Sequence, residues 1–191
     1  SMGDRGAREV HPQDLARYPG KVHRLMDDGT IPGDNPFYNT KDAVKSIYSY
    51  GHRNIQGMAL HPVTGAMWTH EHGPRGGDEI NILKAGANYG WPEATFSREY
   101  VGGFKISPHT SRPGMTDPRL VWMTAIAPSG MVVYTGTQIE QWRGDLFVGG
   151  LKSQDIRRIN LNEGGQVMDQ SALRIGQRGR DVGKGPDGLL D

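Results

Sequence analysis

The sequence predicts an all-β fold, a β-propeller of four-stranded antiparallel blades, and three observations carry that expectation. Glycine and proline are abundant, 28 and 12 in 191 residues, and each weakens or breaks a helix interior. Apolar and polar residues alternate in short stretches bounded by turn residues, as strands require. These stretches recur in units of about 60 to 70 residues with roughly four strands each, a blade-like period. At this length a chain buries one core or fills part of a larger architecture. Residues 1–191 therefore read as a single partial propeller domain of about three blades. A single β-sandwich with coincidentally similar turns is the alternative.

In chain order, "GKVHRLMDDGTIP" from Gly20 alternates Val22 and Arg24 against His23 and Leu25 and turns at Asp28-Gly29, which predicts a hairpin. In "GMALHPVTGAMWTHEHG", Met58 to Leu60 and Ala66 to Thr69 flank a Pro-Val-Thr-Gly turn at 62–65. The same pattern returns in "GMVVYTGTQIEQWRGDLFVGGL" and in "DIRRINLNEGGQV". Overlaid, "GMALHPVTGAMW" corresponds to "GMVVYTG" with "GDLFVGG", and "GKVHRLMDDGTIP" to "DIRRINLNEGGQV". The final "GPDGLLD" echoes "APSGMVV" from Ala127, as a further repeat would. An open fan of blades exposes strand edges, so self-association is expected.

Composition narrows the function classes. Lys and Arg number 22 against 21 Asp and Glu, leaving no global field to steer the chain onto nucleic acid or an anionic membrane. Cysteine is absent, which excludes disulfides and thiolate metal sites. No apolar run reaches the roughly 18 residues of a membrane span. The opening "SMGDRGAREV" lacks the apolar centre of a signal peptide, and Ser1 ahead of Met2 reads as an expression scar. A nucleophile elbow, a Walker loop and a Rossmann fingerprint are all missing.

Three stretches could carry chemistry. "SYGHRNIQG" crowds His52, Arg53, Asn54 and Gln56 into one loop, and a guanidinium fork with paired amide groups suits a planar, oxygen-rich ligand. The plainer reading is an arginine stacked on Tyr48 or Tyr50 and an asparagine that caps a turn. In "HEHGPRGGDEIN", His70 and His72 alternate on one strand face, half of a transition-metal site. Carbonyls of the Gly-Pro and Gly-Gly loop, with Asp78 and Glu79, favour calcium over zinc, and a solvated turn is the alternative. Lys152 in "GGLKSQDIRRI" and Arg178 and Arg180 in "QRGRDVG" are three cations at strand or loop starts. Arg178 and Arg180 would share one face if extended, with Asp181 available to orient either. Taken alone, such charges are more often a solvated surface.

In this order, "SYGHRNIQG", "HEHGPRGGDEIN", "GANYGWPEATF", "APSGM", "GDLFVGGLK" and "RGRDVGKGPDG" resemble the soluble PQQ-dependent glucose and aldose sugar dehydrogenases, the glucose/sorbosone dehydrogenase family. The resemblance implies a six-bladed propeller with pyrroloquinoline quinone (PQQ) held on its top face by calcium. It implies that Arg53 and Asn54 contact the quinone, with Gln56 nearby, and that Arg53 polarises a quinone oxygen. Lys152, Arg178 and Arg180 match the residues that grip its carboxylates and o-quinone. Gly73 and Pro74 match the positions whose carbonyls bind the cofactor's calcium, and Glu79 and Tyr89 resemble a further, structural calcium site. The implied reaction is hydride transfer from the anomeric carbon of an aldose, giving the lactone, in a periplasmic or secreted protein.

The sequence departs from the family pattern in three places. None of the seven histidines stands in the context of the family's general base, which lies in an earlier blade. Ala125 in "WMTAIAPSG" replaces a small hydroxyl residue, and Asp191 falls inside what would be the next blade. The expectation is a cofactor-gripping arc without its base, covering roughly half of the enzyme, with turnover impaired by ~10²- to 10⁴-fold. A calcium-dependent lactonase-like propeller and a non-enzymatic arc that closes with a second copy are the competing readings.

Overall fold

The computed structural model describes residues 1–162 and 164–191. Among the described residues ten strands run in chain order: β1 (Lys21–His23), β2 (Ile47–Tyr50), β3 (Ile55–Leu60), β4 (Met67–Glu71), β5 (Asp78–Ile82), β6 (Leu120–Trp122), β7 (Pro128–Val133), β8 (Leu146–Gly150), β9 (Asp155–Leu161) and β10 (Val167–Arg174). One 3₁₀ turn, Glu140–Trp142, separates β7 from β8. Among the described residues no helix is long and apolar enough to cross a membrane.

Strands β3 to β6 form one four-stranded sheet and β7 to β10 another, each in sequential order with antiparallel pairing throughout; β1 and β2 make a two-stranded sheet. The repeat anticipated in the sequence is thus two complete four-stranded units preceded by a pair of strands. Turns decide where the strands pair. His61 N–H bonds the Ala66 carbonyl at 2.9 Å, closing β3 onto β4, and Asn162 N–H bonds the Gln166 carbonyl at 3.0 Å, closing β9 onto β10. The hairpin expected at Asp28-Gly29 does not form. Asp28 accepts the Thr30 amide and hydroxyl in a local turn, while β1 pairs with β2 across an irregular excursion. A side-chain turn satisfies its own backbone and needs no flanking strand, which is why the dipeptide misled.

The main core lies between the two four-stranded sheets. Trp68, Ile80 and Trp122 meet Met131, Val133, Leu146, Val148 and Ile159 there, with Ile126 on the crossover. Each large apolar side chain so buried stabilises by roughly 1.5–3 kcal/mol. A second cluster of Val22, Leu83 and Tyr89 joins the first sheet to β1 and β2. A third, of Tyr134, Phe147 and Val182, covers the outer face of the second sheet with Leu190. Sheets covered on both faces explain why β8, Leu-Phe-Val-Gly-Gly, is buried along its whole length and shows no alternation. The closing "GPDGLLD" contributes a single bridge, Lys184 to Leu190, rather than a strand.

Candidate functional site

Antiparallel order brings alternate strand ends to one rim. The starts of β3, β5, β7 and β9 and the ends of β4, β6, β8 and β10 share it: within the sheets Ile55 pairs with Glu71, Asp78 with Trp122, Pro128 with Gly150 and Asp155 with Arg174, and between them His72 bonds the Pro128 carbonyl and Asp78 the Ile126 amide. The loop 51–54, the loop 72–77, the crossover 123–127, the loop 151–154 and the segment after β10 all lie at this end. Arg53, Asn54, Gly73, Pro74, Lys152, Arg178 and Arg180 belong to these segments, and Gln56 is the second residue of β3.

Arg53 is half-buried and oriented. Its guanidinium donates to the His72 carbonyl at 2.7 Å and to the Tyr100 hydroxyl at 3.2 Å, and it lies 5.7 Å over the Trp91 ring. The expected stack on Tyr48 or Tyr50 is therefore corrected to Trp91, whose Nε1 is in turn held by Asp4 at 2.8 Å. Asn54 Oδ1 accepts from Gln56 Nε2 at 2.9 Å, tying those two amides together. Lys152, Arg178 and Arg180 are exposed, and no ion pair engages them among the described residues, whereas Arg157 and Arg158 each hold a carboxylate. Among the described residues Asp181 pairs with neither Arg178 nor Arg180; its Oδ1 accepts the Val182 amide at 2.9 Å.

Beneath Arg53 runs a buried chain of polar groups. Ser49 Oγ lies 2.8 Å from His52 Nε2, and His52 Nδ1 lies 3.1 Å from Glu71 Oε1. Glu71 Oε2 accepts the Arg53 amide at 2.7 Å and the Asn54 amide at 3.3 Å. Ser49 and His52 have at most 1% of their surface exposed and Glu71 only 5%, so this Ser-His-Glu array is withdrawn from the surface. Its effect is to fix the backbone that carries Arg53 and Asn54. Sequence reasoning missed it, because Ser49 and His52 meet Glu71 only through the pairing of different strands.

Glu71 faces Glu79 across the β4–β5 ladder, and the two carboxyls are driven apart in acidity. Burial alone would push Glu71 up, but the His52 ring and the Arg53 and Asn54 amides pull it below the ordinary range. Burial, then the Glu71 charge, pushes Glu79 well above it. Glu79 keeps some accessible surface although protein surrounds its carboxyl, because it lines a narrow crevice. That crevice, also lined by Arg53, Glu71, Gly73 and Tyr89, encloses about 10 Å³, the size of one water or one ion. Among the described residues the Glu79 carboxyl accepts one hydrogen bond, from Asn81 Nδ2 at 3.4 Å, and Asn81 Oδ1 is buried without a partner. The Tyr89 hydroxyl donates to the Ile82 carbonyl at 2.6 Å and accepts the Lys84 amide at 2.9 Å, so only its carbonyl is left for a metal. Its ring stacks on His52 at 4.6 Å.

The His-x-His reading is not realised as a metal site. His72 Nε2 donates to the Pro128 carbonyl at 2.6 Å. His70 is fully buried, and among the described residues neither ring nitrogen has a hydrogen-bond partner, although it lies beside the Ser129 backbone. Asp78 is likewise no ligand, since its two oxygens accept the amides of Gly73, Ile126 and Ala127. Among the described residues no group of three or more His, Asp or Glu gathers as a metal set. What the rim offers a cation is oxygen of another kind: the carbonyls of Gly73 and Pro74 accept no hydrogen bond among the described residues. Hard oxygen donors of this sort, with Glu79 nearby, fit calcium.

Residues 1–190 match the family model described as Glucose / Sorbosone dehydrogenase. The aldose sugar dehydrogenase YliI of Escherichia coli is 44% identical over 194 residues, covering 100% of this chain and 52% of that protein. A crystal structure of a glucose dehydrogenase superposes with a TM-score of 0.94 at 40% identity, covering 100% of this chain and 55% of that one. The PQQ-bound form of an aldose sugar dehydrogenase from Streptomyces coelicolor superposes with a TM-score of 0.72 at 33% identity, covering 94% of this chain and 47% of that one. The chain spans about half the length of the relatives it matches.

Proposed function

The chain belongs to the glucose/sorbosone dehydrogenase family, and from that premise we propose that it is the cofactor-binding arc of a PQQ- and calcium-dependent dehydrogenase that oxidises an aldose at its anomeric carbon to the lactone. The observation that carries the reading is the shared rim: segments from different strands of two sheets bring three unpaired cations, one oriented arginine and two free carbonyls to the same end of the fold. Bound there, the quinone would supply a two-electron acceptor and calcium a Lewis acid.

This chain's own residues have separate tasks in that reading. Lys152, Arg178 and Arg180 would neutralise the cofactor's carboxylates and donate to its o-quinone oxygens, a local need compatible with a nearly neutral whole. Arg53 and Asn54 would meet it from the adjoining loop and Gln56 from the start of β3, with Arg53, the catalytic member, placed to donate to a quinone oxygen and so polarise it. The Gly73 and Pro74 carbonyls hold the cofactor's calcium, and Glu79 with the Tyr89 carbonyl holds a structural one. Proton removal from the sugar hydroxyl is not assigned to this chain's histidines at the rim. His52 and His70 are buried and His72 is bonded to Pro128, so turnover by the chain alone is expected to fall ~10²- to 10⁴-fold short.

A periplasmic or secreted setting goes with this function. Association of copies through open faces is part of the same reading, supported by the apolar groove of about 430 Å³ that exposed Met58, Leu60 and Leu25 help line. The test is titration with PQQ and calcium, following quinone absorbance and particle mass together, then dye reduction with an aldose. An absorbance shift that needs calcium supports the proposal; no shift at saturating concentrations of both removes it.

A further inference from the structure

The Asp78 carboxylate holds together parts of the rim that belong to different sheets. Asp78 opens β5 and is 1% exposed. Its Oδ1 accepts the Gly73 amide at 2.9 Å, and its Oδ2 accepts the Ile126 and Ala127 amides, each at 2.8 Å. Gly73 lies in the loop between β4 and β5 of the first sheet. Ile126 and Ala127 lie in the crossover to the second, where Ala127 has φ +54°, a left-handed conformation that a residue with a Cβ keeps only when its surroundings hold it.

The crossover passes the constraint onward. The Ile126 carbonyl accepts the Lys152 amide at 2.9 Å and the Ser153 amide at 3.3 Å, and the Ala127 carbonyl accepts the Leu151 amide at 3.0 Å. The peptide unit between Ile126 and Ala127 therefore gives its N–H to Asp78 and its C=O to Lys152. A buried carboxylate accepting three amides is a strong anchor, since such hydrogen bonds are charge-assisted and costly to leave unmade. Strand pairing does not require this side chain, as β5 already pairs on both sides.

We infer that Asp78 is a positioning residue that sets the Gly73–Pro74 carbonyls and the backbone beneath Lys152 in one frame, so that a metal and an anion can be gripped from two sheets at a fixed separation. Only the purpose of that frame rests on the function proposed above. The anchoring itself is a property of the cofactor-free chain.

Hydrogen exchange on the full chain without cofactor, and calcium titration of PQQ binding, test it with Asp78→Asn and Asp78→Ala. An asparagine oxygen kept against Ile126 and Ala127 turns its amide toward Gly73 N–H, donor against donor. Asp78→Asn should therefore speed exchange at Gly73 while Lys152 and Ser153 stay protected, and Asp78→Ala should release all of them. The calcium needed for half-maximal PQQ binding should rise about 10- to 100-fold, as for partners that orient metal ligands. The inference is overturned if Gly73 stays protected in both variants, or if the core amides of Ile80 and Val148 quicken in step with it. If the unaltered chain binds no quinone, the functional proposal fails while the exchange pattern still decides the role of Asp78.

Discussion

Gly57 and His70 are paired across the β3–β4 ladder, and the imidazole fills the space the glycine leaves. A Cβ at position 57 would collide with His70 Nε2 and come within 2.9 Å of the Ser129 carbonyl oxygen. This close fit lets β3 approach the start of β7. Gly57→Ala is expected to cost about 1–3 kcal/mol through overpacking, read by urea unfolding. His70→Ala in the same chain should recover part of that loss, a non-additivity that a conformational effect at residue 57 alone would not produce.

His70 also makes stability depend on pH. Burial, then the charge of neighbouring His72, pushes it down to about 4. The unfolded chain takes up this proton near the ordinary value of about 6.5, so between those limits unfolding binds a proton that the folded state refuses. The stabilisation is complete above pH 6.5 and is lost as pH falls toward 4, about 3 kcal/mol over the window. Unfolding midpoints at pH 7 and pH 4.5 should differ markedly in the native chain and much less in His70→Leu.

Glu71 organises the Arg53 loop through His52 and two backbone amides. Replacing it by glutamine puts an NH₂ group among donors, and the expected loss is about 1–3 kcal/mol of stability. PQQ binding should weaken as well, beyond the effect of a core substitution with equal loss of stability. Equal binding in the two variants would mean that Glu71 supports the fold and not the loop.

The exposed cations should behave in the opposite way. Lys152→Ala and Arg178→Ala are each expected to weaken PQQ binding roughly 10- to 100-fold, the value of a hydrogen bond to a charged group. Melting temperatures of the cofactor-free variants should be unchanged, as for other surface substitutions. Quinone absorbance titration beside thermal melts checks both halves.

In the proposed reading, Glu79 ties calcium to stability. Because burial and the Glu71 charge hold its proton on, a cation in the crevice replaces an unfavourable ionisation with a favourable contact. Calcium should raise the melting temperature of the native chain, by an amount that grows with its concentration. Glu79→Gln should melt no lower than the native chain without calcium and should gain less than the native chain when calcium is added.

Fold class was legible because strands and turns are local. The turn at 62–65, the hairpin ending at Val167 and the glycine-bounded strands β7 and β8 are written in neighbouring residues. The Asp28-Gly29 turn was legible too, but its strand partner, β2, lies outside any window that includes it. The two-sided burial of β4 and β8 was hidden for a related reason, since alternation reports one covered face and is silent about a second.

The sequence by itself determined which residue types stand at the strand starts and ends: the cations at 53, 152, 178 and 180, the Gly73-Pro74 pair and the alternation that makes them loop-borne. Only the tertiary structure decided that these loops share a rim, that Asp78 is an anchor and not a ligand, and that Ser49, His52 and Glu71 form a buried support. The physical reason is that hydrogen bonds and burial act between atoms close in space. Antiparallel pairing joins Ile55 to Glu71 and a crossover carries Asp78 to Ile126, contacts whose partners no local period or composition can specify.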